Sequence, residues 1–152
     1  DDDLCRILEP NVCPTSRRVE VLKTLRDNAI PTVVWLCPIL PYINDSEDNI
    51  RDILDFCIES DVHGIICFEM GLTLREGNRQ YFYSKLDEHF PGIKERYIRE
   101  FGNSYAIPSP NNQKLMKIFK DITSENGILN SHEEIFEYLA DFPQDSVQSR
   151  LI

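Results

Sequence analysis

Two polar stretches follow apolar runs in a way that suits ligand binding. The first is Pro38-Ile39-Leu40-Pro41-Tyr42-Ile43-Asn44-Asp45, directly after the run Thr32-Val33-Val34-Trp35-Leu36-Cys37. Two prolines restrict the backbone, which suits presenting main-chain groups to a flat ligand. The same residues also describe a rigid turn in which Asn44 and Asp45 serve as caps. The second stretch, Glu69 to Asn78, brings Glu69, Arg75, Glu76 and Asn78 to the end of the next apolar run. With the first it could line one pocket. Equally it could be a solvated loop with an Arg–Glu surface pair.

The remaining chemistry-bearing residues are sparse. There are five cysteines, at 5, 13, 37, 57 and 67, none in a C-x-x-C pair. Cys37 and Cys67 sit in apolar runs and are expected to point into packed strands. Cys57 falls on the apolar side of a helix. Buried, reduced thiols are the expectation, since a metal site would have to draw ligands from distant elements. His63, His89 and His132 have no Cys, His or Asp at ligand spacing. No H-E-x-x-H, G-x-S-x-G, Walker or G-x-G-x-x-G motif occurs. No residue is assigned a catalytic role.

The elements that must hold these residues follow from periodicity. Leu4, Ile7 and Leu8 behind three aspartates predict a short helix ended by Glu9-Pro10. Thr15 or Ser16 is expected to cap a second, with Val19, Leu22 and Leu25 inward. Thr32–Cys37 is apolar on both faces, as in a buried parallel strand. Asp45 or Ser46 then caps a helix burying Ile50, Ile53, Leu54, Cys57 and Ile58. Val62–Met70 reads as a second buried strand, adjacent and parallel to the first, so that the three form a βαβ unit. Beyond the loop Gly71–Gly77 the sequence predicts mostly helices. One spans roughly 79–89, one starts at Pro91 and stops at Gly102, and one starts at Ser109-Pro110 and stops at Gly127. A last one opens with a Ser131/Glu134 capping box. The tail from Pro143 is polar.

The chain has 152 residues, enough for one core. Hydrophobic residues make up 41% and charged residues 28%, and the net charge is −10. The acids are interspersed with the bases, so the segment does not support nucleic-acid binding, which needs clustered cations. No apolar stretch reaches membrane-span length. Reduced thiols and an acidic start, unlike a secretory leader, point to the cytoplasm.

Taken in order, Leu8-Glu9-Pro10, Arg17-Arg18, Leu25, Ile30-Pro31 and Pro38-x-x-Pro41-x-x-Asn44-Asp45 resemble the second half of a radical S-adenosylmethionine protein. The group they resemble is the spore photoproduct lyase-like family, often labelled DNA repair photolyase. Gly71-Leu72-Thr73-Leu74-Arg75-Glu76-Gly77-Asn78 followed by Tyr81-Phe82-Tyr83 is similar to one of its subgroups.

The resemblance implies an α/β chain forming the C-terminal fragment of a partial TIM-type (βα)6 barrel. Two or so parallel strands would carry a helix-rich C-terminal extension. Residues 1–78 would be the last βα units, 79–142 the helical extension and 143–152 a tail. It implies a lyase-like parent using a 4Fe–4S cluster and S-adenosylmethionine, with Pro38, Leu40, Pro41, Asn44, Glu69 and Arg75 at the cofactor pocket. The family's C-x-x-x-C-x-x-C loop is missing here, so neither cluster nor cofactor is expected on this chain alone. Its expected partner is the upstream half of the same barrel, with a homodimer through the open sheet edge as the alternative. The absence of an initiator methionine fits a piece of a longer protein. A non-catalytic small-molecule-binding or protein-interaction module is the competing reading.

Overall fold

The computed structural model describes residues 1–141. The polar tail expected from Pro143 lies outside them. The chain begins with α1 (Asp2–Leu8) and α2 (Thr15–Asp27), then β1 (Val33–Trp35), α3 (Glu47–Glu59) and β2 (Gly64–Ile66). There follow β3 (Gly71–Thr73), α4 (Asn78–His89), α5 (Ile93–Phe101), β4 (Ala106–Pro108), α6 (Asn112–Glu125) and α7 (His132–Ala140). It is a mixed α/β chain with short strands in two small sheets.

β1 and β2 pair in parallel, Val34 opposite Ile65, with α3 as the crossover. Leu129 adds a parallel bridge to Gly64 on the far side of β2. Ile65 N–H donates to Leu129 C=O at 2.8 Å, and Leu129 N–H to His63 C=O at 3.1 Å. Three parallel segments thus lie side by side. α3 and α6 cover one face, where Ile50, Leu54, Ile65, Cys67, Leu115 and Phe119 form a core. α7 lies on the other face, with Ile135 against Gly64.

The second sheet was not expected: its first strand lies in the stretch read as the loop Gly71–Gly77, and its second in the region read as mostly helices. β3 and β4 pair antiparallel, Leu72 opposite Ile107, and found a second core with Leu40, Phe82, Leu86 and Tyr97. Three residues per strand are too few to show an alternation, and Pro108 disguises β4. Gly71 is required here: a β-carbon on it would lie 2.5 Å from Ile107 C=O.

The parallel segments are reached by one repeated turn. α2, α3 and α6 are followed by Ala29, Asp61 and Gly127, all at positive φ (54°, 50° and 69°). In each case the next amide reaches back to the last helical turn: Ile30 to Leu25, Val62 to Cys57 and Ile128 to Thr123. This is the left-handed helix stop in which carbonyls left over at a C-terminus find donors. Glycine suits it, and only the third turn has one.

Helix starts depart from expectation at α2, and α5 and α6 begin at Ile93 and Asn112, each two residues after the expected proline. Neither Thr15 nor Ser16 caps α2, whose first residue follows Pro14. Instead Asp2 of α1 accepts Ser16 N–H at 2.9 Å and its hydroxyl at 2.5 Å. Those two hydrogen bonds hold the Asp2 carboxyl below its usual range. Ser46 caps α3 and Ser131 caps α7, each accepting from the amide three residues on. No helix among the described residues is long and apolar enough to cross a membrane.

Candidate functional site

The carboxyl ends of β1, β2 and the Leu129 segment point the same way, and in α/β sheets that end carries ligands. The loop after β1 starts with a cis Cys37–Pro38 peptide. Asn44 Oδ1 accepts Leu40 N–H at 2.6 Å, and Asn44 C=O accepts Asn49 Nδ2 at 2.8 Å. Pro41 C=O accepts the hydroxyl of buried Tyr97 at 2.9 Å. Tyr42, at φ 66°, donates its N–H to Asp45 Oδ1 at 2.7 Å, while Arg96 lies 3.5 Å over its ring.

Asp45 is the pivot of this loop. Its second oxygen accepts the Ser109 hydroxyl at 2.6 Å, and both residues are buried. Its backbone carbonyl accepts Asn111 Nδ2. Nearby, Asn112 Oδ1 accepts Met70 N–H at 2.8 Å, Ser109 N–H donates to Met70 C=O, and Ile39 N–H donates to Gly71 C=O. The loops after β1, β2 and β4 are therefore tied together by polar groups that satisfy one another.

Of the six residues expected at the pocket, Leu40 and Pro41 are buried in this turn and Asn44 is consumed in holding it. Pro38 and Glu69 are exposed at the carboxyl end of the parallel sheet. Arg75 belongs to the other sheet, just past β3, where Nε donates to Tyr105 Oη at 3.4 Å. The structure brings Pro38 and Glu69 to one end and leaves Arg75 on a separate element.

The same end carries groups whose role was not read from the sequence. Trp35 and Phe68 rings meet at 5.8 Å, and Phe68 lies on the His132 ring at 4.1 Å. His132 Nε2 is 3.0 Å from Cys67 C=O. A carbonyl only accepts, so Nε2 carries the proton of that contact. Trp35 and Cys37 share one strand face by alternation, opposite the core face of Val34 and Leu36. Cys37 is exposed, which corrects the expectation that it packs inward. Period-two alternation within 32–37 holds this information. Assigning the run to a strand buried on both faces hid it.

Three of the thiols sit where the thiolate is disfavoured. Burial pushes Cys57 up to about 11 and Cys67 up to about 12, while the partial shielding of the otherwise exposed Cys37, with Glu9 nearby, raises that thiol as well. Cys67 Sγ lies 3.7 Å from Met116 Sδ within the core. Among the described residues no three His, Cys, Asp or Glu side chains gather as a metal-holding group. A recess of about 390 Å3 opens at the opposite, amino end of the strands, between Arg26, Ile30, Asp61, His63 and Gly127. It is far from the loops just described, and Arg26 there is already bonded to Glu59 C=O and Asp27.

No family model, no curated protein and no solved structure matches this chain.

Proposed function

We propose that the chain is the C-terminal part of a radical S-adenosylmethionine enzyme resembling the spore photoproduct lyase-like family, and that it supplies wall rather than chemistry. The parallel β1–α3–β2 unit carries this reading, because its carboxyl-end loops are mutually braced. A braced loop end holds a pocket rim still. Pro38 and Glu69 are then rim residues. Leu40, Pro41 and Asn44 act behind them by fixing the turn. The cluster and cofactor would supply the radical chemistry when bound, held by residues upstream of this chain.

The reading is tested on the complete gene product. The residues encoded upstream should include a three-cysteine loop of the family's spacing. Anaerobic reconstitution of the full-length protein should then give the cluster's broad visible absorption and reductive cleavage of the cofactor. A full-length protein with neither would defeat the reading. A non-catalytic binding module would then take its place, favoured by the exposed Trp35 and Phe68 rings.

A further inference from the structure

The large apolar side chains left uncovered at one face form a continuous row. Trp35 is 56% exposed and Phe68 57%, and the two rings meet beside His132. From His132 the row continues along α7. At 100° per residue, His132, Phe136 and Leu139 fall within about 60° on one flank. Phe136 and Leu139 are both exposed. A patch of this kind marks an interaction surface rather than ordinary surface scatter.

The backbone beside this row is also unsatisfied. Leu36 N–H donates to Ile66 C=O at 2.9 Å, and Thr32 C=O accepts from His63. Even-numbered residues therefore face β2, and alternation turns the N–H and C=O of Val33 and Trp35 to the free edge. No hydrogen bond to these groups occurs among the described residues. The strand has no charge, proline or bulge to discourage pairing.

The charged residues that follow Phe68 and lie along α7 are acidic. Glu69 follows Phe68, and Glu133 and Glu137 run along the crest of α7 beside Phe136. α7 contains no lysine or arginine. None of these three carboxylates has an ion-pair partner among the described residues, although acids elsewhere do, as Glu59 does with Lys23. A second copy of the chain would bring the same acids to the same place, against a net charge of −10.

We infer that this face binds an extended polypeptide segment with lysine or arginine set between apolar residues, added as a strand on the free edge of β1. Its main chain would meet Val33 and Trp35, its apolar side chains would cover Trp35 and Phe68, and its cations would face Glu69, Glu133 and Glu137. Strand addition supplies affinity through the backbone, and opposite charge supplies selectivity.

Trp35 is the sole tryptophan, so its emission reports on this face directly. The probes are two short synthetic peptides of alternating valine and a charged residue, lysine in one and glutamate in the other. The lysine peptide should shift Trp35 emission to shorter wavelength, with affinity falling as salt rises, and the glutamate peptide should not. Glu69→Lys with Glu133→Lys, both on exposed side chains, should weaken the lysine peptide by roughly tenfold or more and favour the other, with an unchanged circular dichroism spectrum. Equal responses to the two peptides, or no response at millimolar concentration, would overturn the inference. So would a concentration-dependent emission shift with dimers in size-exclusion chromatography and no peptide present, since the occupant would then be a second copy. Failure here leaves the radical-enzyme reading standing, because that reading is decided by the upstream cysteines and the cluster.

Discussion

Ile135 fills the space beside Gly64. A β-carbon on Gly64 would sit 3.1 Å from Ile135 Cγ1 and 3.3 Å from Leu129 Cβ. α7 is therefore seated on β2 through a missing side chain, with His132 on Phe68 at one end and Tyr138 on His63 at the other. Gly64→Ala should overpack this contact at a cost of about 1–3 kcal/mol. Hydrogen exchange should quicken across 132–140 while β1–β2 amides stay protected. Unchanged protection of α7 would mean that this contact does not hold it.

Ser109→Ala should cost about 1–3 kcal/mol, because it leaves a buried carboxylate oxygen of Asp45 without its donor. Paired with Asp45→Ala in a double-mutant cycle, it should show strong coupling in urea unfolding. Additive losses would count against the Asp45–Ser109 bond as the tie between the two loops.

The repeated helix stop makes opposite predictions at two of its copies. Ala29→Gly should stabilise by about 1 kcal/mol, since alanine at positive φ bears a steric penalty that glycine does not. Gly127→Ala should destabilise by about the same amount. Nothing lies within 4 Å of a β-carbon at Gly127, so the loss would come from conformation alone. Shifts in thermal midpoint of equal sign would refute the account.

Alkaline pH should weaken the fold before it breaks. Burial places the Cys57 and Cys67 thiols at about 11 and about 12 in the folded chain, above the 9.0 of an ordinary thiol. Their folded values are raised, so the stability they contribute is complete below about pH 9 and is lost as pH rises through 11 and 12. Burial raises the Tyr97 hydroxyl too, and it adds to the loss in the same direction. Unfolding free energy measured from pH 8 to 11 should fall, and Cys57→Ala with Cys67→Ala should flatten the slope. A slope unchanged in that variant would point to other groups.

The βαβ unit was legible because each part carried its own local signal. Thr32–Cys37 and Val62–Met70 are β-rich runs, and Ile50, Leu54 and Cys57 repeat at helical spacing between them. The observed strands are shorter, since the ladder register covers only Val33–Trp35 against Gly64–Ile66, and the ends of each run bond to loops and neighbouring segments instead. The second sheet was not legible, because Gly71–Thr73 finds its partner at Ala106–Pro108 beyond two helices. The site was legible only as a location. Asp45 reads as a possible cap, but Ser109, 64 positions away, gives it a different task. His132 reads as part of a capping turn, and only the fold lays it on Phe68.

Neighbouring residues Ile39 and Leu40 enter different cores, and so do Met70 and Leu72. Leu8 packs with the second core, Leu22 with the first, and Leu115 to Ile128 return to the first after Leu72 to Ile107 have built the second. The polypeptide is laced back and forth between its two interiors. Cutting it at one point cannot free either of them whole. A stretch exchanged by recombination would carry off part of both, so a workable substitute must arrive with the entire weave or change it one side chain at a time.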